Sequence, residues 1–120
     1  MKRAELSLNG KTLTEIAVAD SYFLRLRGLI GRDVQKLGGL WLKPCNQIHM
    51  FFMKYPIDVI YLSKEQKIIK IERNAATGRI YRAVKGSRSV LELPSGSAVI
   101  FGMNEGNILK IKNVYKIQKM

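Results

Sequence analysis

The chain has 120 residues, 47% of them hydrophobic and 25% charged, which fits one globular domain over residues 1–120 with a core that needs no staples. Its net charge of +12, from 21 Lys+Arg against 9 Asp+Glu, favours anionic partners, and its single cysteine excludes a disulfide framework. A lone cysteine also favours a reducing compartment, so a cytoplasmic location is expected. The opening Met1-Lys2-Arg3 is followed by Ala4-Glu5-Leu6 and Asn9-Gly10, which does not read as a signal peptide. No apolar run approaches the length of about 20 residues that spans a bilayer.

In chain order, Leu6 and Leu8 alternate with polar residues ahead of Asn9-Gly10, a strong hairpin signal, and Thr12–Ala19 reads as the return strand. Asp20-Ser21 signals a helix N-terminus, and Phe23, Leu26 and Ile30 recur at helical spacing with Tyr22 and Leu29 beside them. This predicts one amphipathic helix over Ser21–Ile30, with Gly28 inside it permitting a close backbone approach. Residues 33–39 read as a loop and Leu40-Trp41-Leu42 as a short strand stopped by Pro44. Ile48–Met53 and Ile57–Leu62 read as two strands meeting at Tyr55-Pro56, the central hairpin of the fold. Lys67–Arg73 pairs back after a turn at 63–66.

Residues 74–88 form a polar interval. From Lys64 to Arg88 there are eight basic residues against Glu65 and Glu72, which predicts a broad positive surface on a mobile loop. Ser89–Leu93 is a strand, Pro94–Ser97 a turn that starts a short helix over Ala98–Phe101, and 102–107 a second turn. Ile108–Ile111 and Val114–Ile117 close the chain as strands broken at Lys112-Asn113. The expected class is α+β and mostly antiparallel: many short strands in a partly closed barrel-like sheet, packed by one main helix and a short second helix.

Several segments together resemble the domain of unknown function 192 family. Gly28-Leu29-Ile30-Gly31-Arg32 resembles its Gly-Leu-Met-x-Arg, and Pro44-Cys45 with Ile48-His49-Met50-Phe51 resembles the Pro-Cys-x-x-Ile-His-Thr-Phe of a bacterial branch. Met53–Leu62 resembles Met-Arg-Phe-Pro-Ile-Asp-Val-Val-Phe-Leu, Leu91–Gly96 resembles Leu-Glu-Leu-Pro-Ala-Gly, and Gly102–Asn107 resembles Gly-x-x-x-Gly-Asp. The resemblance covers about residues 20–112. It implies a compact β-rich α+β fold and no particular reaction. Met50 stands where the family has threonine, and Asn107 where it has aspartate.

Residues 45–62 gather the rare side chains. Cys45 and His49 suggest a thiolate–imidazole or metal pair, but on a regular strand their Cα atoms would lie about 13 Å apart. Two such ligands do not make a structural zinc site, and neither a metal nor a cofactor is expected. Asp58 and Glu92 are carboxylates inside apolar strands, so each is paired, accepts backbone N–H groups, or acts with a raised pKa. Lys54 and Arg32 are the partners considered for Asp58. The candidate ligand-binding set is therefore His49, Lys54, Asp58, Glu92 and Arg32. Cys45, Met53 and the turn residues Ser95 and Gly96 are weaker candidates.

The function class expected first is a binding module that holds an anionic ligand or polyanion in a cleft near the central hairpin. Nucleic acid fits the charge, although no recognised binding motif accompanies it. A structural or accessory protein without a ligand site is the second reading. A small hydrolase- or transferase-like enzyme using His49 with Asp58 or Glu92 is the third.

Overall fold

The computed structural model describes residues 1–114. Its frame is one seven-stranded sheet in the order β5-β4-β6-β3-β2-β1-β7. In chain order the strands are β1 (Lys2–Leu8), β2 (Lys11–Ala19), β3 (Leu40–Leu42), β4 (Ile57–Leu62), β5 (Ile68–Ala75), β6 (Ser89–Pro94) and β7 (Leu109–Val114). Three short helices punctuate them: α1 (Tyr22–Arg27), α2 (Val34–Leu37) and α3 (Ser97–Ile100). Every strand pairing is antiparallel except β2 with β3.

The opening hairpin forms as its turn residues dictate. Asn9 and Gly10 both take positive φ, 51° and 78°, between β1 and β2. Ser21 caps α1 by accepting the Leu24 N–H at 3.2 Å. The helix then departs from expectation. It ends at Gly28, whose φ of 54° and ψ of −127° leave helical space, and none of its residues is buried. The expected main helix is thus shortened to under two turns, with Leu24 alone of its apolar side chains packed against the core. The predicted loop at 33–39 contains α2, capped by Asp33 through the Gln35 N–H.

Alternation along the strands divides the core in two. One face of the sheet buries Leu6, Ile16, Trp41, Ile60, Leu62, Leu91, Leu93 and Met103, together with Ala98 of α3. The other buries Leu40, Leu42, Val59, Tyr61 and Val90 against Leu29, Val34, Ile48 and Met50 from the connecting segments. All six residues of β4 are therefore buried, as expected of a central strand covered on both faces.

The central hairpin is not formed. Residues 43–56 carry no strand, and His49 makes a lone bridge to Ile80. Ile48 and Met50 of this stretch cover the second face of the sheet, with Cys45, Met53 and Tyr55 packed beside them. The 74–88 interval is hydrogen-bonded to the same stretch at several points. Met50 donates its N–H to the Arg79 carbonyl at 2.7 Å, Tyr81 donates to Ile48 at 3.2 Å, and Val84 to Asn46 at 2.8 Å.

The ladder is not closed into a barrel. Just outside its two edge strands the ends meet at a bridge between Lys67 and Ile108, where the Ile68 N–H donates to the Asn107 carbonyl and the Gly106 N–H to the Ile68 carbonyl, each at 2.8 Å. β7 runs unbroken through Lys112-Asn113 along β1. The expected strand Val114–Ile117 lies mostly outside the described residues. Among those described, no helix is long and apolar enough to cross a membrane.

Candidate functional site

β6 carries Glu92 in the middle of the sheet, in register with Leu40 on β3 and Val59 on β4. It alternates with Leu91 and Leu93, so its carboxyl joins Val90 on the second face. Two consequences follow from that position. The group is 5% exposed, and its Oε1 has no hydrogen-bond partner among the described residues. Burial, with no cation to offset it, pushes its carboxyl up from 4.5 to about 7.

What lies over Glu92 is backbone. A Cβ built on Gly28 would stand 3.5 Å from Oε1. The glycine that ends α1 therefore lets the chain pass over a carboxylate with no side chain to pair it, the close approach expected of Gly28 although outside the helix.

A cleft of about 50 Å³ opens beside this pair. Cys45, Gln47, His49, Met53 and Glu92 line it from the sheet and the 45–53 segment, and Arg25, Leu26 and Arg27 from α1. The second unpartnered atom in it is His49 Nδ1. Three buried side-chain polar atoms lack partners among the described residues, Trp41 Nε1 being the third, so two of the three fall in one cleft. Such atoms are rare in native proteins and mark places completed by water or a ligand. Phe51 stacks on the His49 ring, with centroids 5.5 Å apart.

Cys45 reaches the same cleft because 43–56 is irregular. The separation of about 13 Å expected between Cys45 and His49 assumed a strand that does not form. The Cys45 Sγ donates to the Gln47 carbonyl at 3.2 Å. Burial, and secondarily the Glu92 carboxylate, pushes its thiol up. That is the opposite of an activated nucleophile. Among the described residues, no three His, Cys, Asp or Glu side chains are grouped to hold a metal ion.

The other predicted residues are placed elsewhere. Asp58 lies on β4 opposite Leu93, so it points to the face away from Glu92. Both its oxygens are occupied: Oδ1 accepts the Asn74 N–H and Oδ2 the Ala98 N–H, each at 2.9 Å. A register shift between Ile57 and Val59 frees Asn74, at φ 51°, from the ladder for this bond. Ser95 Oγ donates to Asn74 Oδ1 at 2.7 Å, and Gly96 starts α3 at φ 91°. Asp58, Ser95 and Gly96 thus belong to a staple that joins β4, β5 and α3.

Arg32 and Lys54 line a separate shallow groove with Phe52 and Tyr55, and Met53 borders both it and the Glu92 cleft. The Tyr55 hydroxyl fixes that groove by donating to the Arg32 carbonyl at 2.6 Å and accepting the Val34 N–H at 3.1 Å. Neither Arg32 nor Lys54 is a partner of Asp58. Arg25, Arg27 and Gln47 were not singled out from sequence. Their only signal was that the Gly28 segment and the Cys45–His49 segment both belong to the quoted motifs.

The two departures from the family pattern are structural here. Met50 is fully buried in the second-face core, and Asn107 Oδ1 caps its turn by accepting the Asn104 N–H at 2.7 Å.

Comparison with known proteins completes the picture. The family model DUF192, described as an uncharacterized ACR, matches residues 4–111. A UPF0127 protein of Thermococcus sibiricus is 32% identical over 93 residues, covering 72% of this chain and 60% of that one. A UPF0127 protein of Thermococcus gammatolerans is 29% identical over 99 residues, covering 78% and 64%. The chain thus spans about three-fifths of the length of these relatives, which are archaeal and lend no support to a bacterial branch. Among solved structures, a protein of unknown function from Novosphingobium aromaticivorans superposes with a TM-score of 0.75 at 18% identity, covering 90% of this chain and 83% of that one. A candidate transcription regulator from Sinorhizobium meliloti superposes with a TM-score of 0.78 at 22% identity, covering 92% of each. These two likenesses establish the fold alone.

Proposed function

The chain belongs to the DUF192 family, and we propose that it binds a small anionic ligand, seating a carboxylate- or oxyanion-sized group in the Glu92 cleft. The observation that carries this reading is that Glu92 Oε1 and His49 Nδ1, both buried and unpartnered, line one opening. A cleft of about 50 Å³ suits a group of a few heavy atoms, with the rest of the ligand outside. Arg25 and Arg27 line the same cleft. With its carboxyl raised to about 7, Glu92 is largely protonated below neutrality and donates to a ligand oxygen where its ionised form would repel it.

Calorimetric titration with sulfate and with acetate tests this, because neither changes charge between pH 6 and 8. Binding that requires protonated Glu92 weakens about tenfold across that interval, following the fraction protonated around pH 7. Glu92→Gln retains binding and loses the dependence. Absence of binding at millimolar anion, or the same dependence in Glu92→Gln, refutes the reading.

One observation supports catalysis as a second reading: a carboxyl that titrates near neutrality shares the cleft with His49. Asp58 takes no part in it, since backbone N–H groups occupy both its oxygens. Turnover of a bound anion's ester that disappears in Glu92→Gln, while the anion still binds, would favour catalysis over binding alone.

A further inference from the structure

The side of the molecule around α1 carries apolar side chains that cover nothing. Tyr22, Phe23 and Leu26 are exposed on α1, Phe23 at 79%. Tyr22 and Phe23 meet edge to face with ring centroids 5.7 Å apart. On the neighbouring groove stands Phe52, 82% exposed and held at φ 63°, a conformation that bulky residues rarely adopt. These elements adjoin: Leu26 and Met53 line the Glu92 cleft, and Met53 and Phe52 line the neighbouring groove.

Basic residues border the same surface, Arg25 and Arg27 on one side and Arg32 and Lys54 on the other. Its neighbouring acids are engaged: Asp20 pairs with Lys2 at 3.1 Å, and Asp33 caps α2. Protruding aromatic and aliphatic side chains ringed by cations match the interface of an anionic bilayer, where rings and Leu enter the acyl boundary and cations meet headgroups. The edge-to-face pair and the aliphatic Leu26 offer no parallel platform on which bases would stack.

We propose that the α1 and Phe52 tips form a docking surface for an anionic membrane, on which the protein lies peripherally. The surface shares Arg25, Leu26 and Arg27 with the rim of the proposed anion cleft, and differs from it in that its exposed apolar tips carry the insertion. Co-sedimentation with phosphatidylcholine vesicles, with and without phosphatidylserine, tests it on the full chain. Binding is expected to the phosphatidylserine vesicles, falling as salt rises.

Phe23→Ser combined with Phe52→Ser keeps every charge and removes the tips, and is expected to weaken binding at least tenfold. Val99→Ser, at an exposed position on α3, leaves it unchanged and controls for general loss of apolar surface. Arg25→Gln weakens binding about fivefold, as expected for one basic residue near the headgroups. Both Phe sites are exposed, so the melting temperature of the double variant is expected to match that of the wild type. Equal vesicle binding by wild type and double variant overturns the proposal, because net charge alone would then account for it. So does a double variant that loses affinity for a single-stranded oligonucleotide but not for vesicles.

Discussion

Replacing Glu92 with glutamine should stabilise the protein, and more so as pH rises. The native carboxyl titrates near 7 because burial disfavours its charge, whereas in the unfolded chain it titrates near 4.5. Between those values the native state holds the proton that the unfolded state has released. The stability is therefore fully present below about pH 4.5, is lost as pH rises through 7, and levels off above it. The interval of about 2.5 pKa units corresponds to about 3 kcal/mol at pH 8. Glutamine has the same shape and cannot ionise, so Glu92→Gln escapes the loss. Urea denaturation at pH 5 and pH 8 measures it. The variant is expected to exceed the wild type by less than about 1 kcal/mol at pH 5 and by about 3 kcal/mol at pH 8. Comparing the two proteins at each pH removes the contribution of the other carboxylates. A difference that is the same at both pH values, or a variant less stable at pH 8, would show that Glu92 is paired and would refute the reasoning.

Asp58→Ala removes the acceptor for the buried Ala98 N–H and the part-buried Asn74 N–H, and should cost about 2–4 kcal/mol in the same assay, with Asp58→Asn costing less. A loss under about 1 kcal/mol would mean that the staple is not needed. Gly38→Ala and Gly10→Ala share a positive φ, 85° and 78°, but only at Gly38 would the new Cβ clash with backbone, the Glu15 carbonyl oxygen. Gly10→Ala should cost about 1–2 kcal/mol and Gly38→Ala considerably more. Equal costs would discount the steric term. Iodoacetamide should alkylate Cys45 at pH 7.5 several-fold more slowly than free cysteine, because burial raises its thiol. Faster alkylation would make it a nucleophile after all.

The parts of the fold written in local chemistry were legible from sequence. Asn9-Gly10 fixed a hairpin because its turn needs two positive φ angles, and the alternation of Leu91 and Leu93 about Glu92 set which side chains share a face. What failed depended on long-range packing. The apolar run from Ile48 to Met53 reads equally well as a strand or as a covering segment, since burial makes both hydrophobic. Phe23 and Leu26 follow helical periodicity, yet their face meets no core, and periodicity carries no information about what a stripe will face. The same error hid the site. A strand assumed at 45–49 separated Cys45 from His49, and no pattern in sequence put Asp58 and Glu92 on opposite faces until the register of β4 with β6 was known.

The carbon-13 chemical shift of the Glu92 side-chain carboxyl, followed by NMR from pH 3 to 9, tests the account most directly. A buried, unpartnered carboxyl should titrate near pH 7, and saturating sulfate should move the midpoint higher because the bound anion favours the protonated form. A midpoint near 4.5, unmoved by the anion, would mean that Glu92 is solvated or paired and that the cleft has no claim to be a binding site.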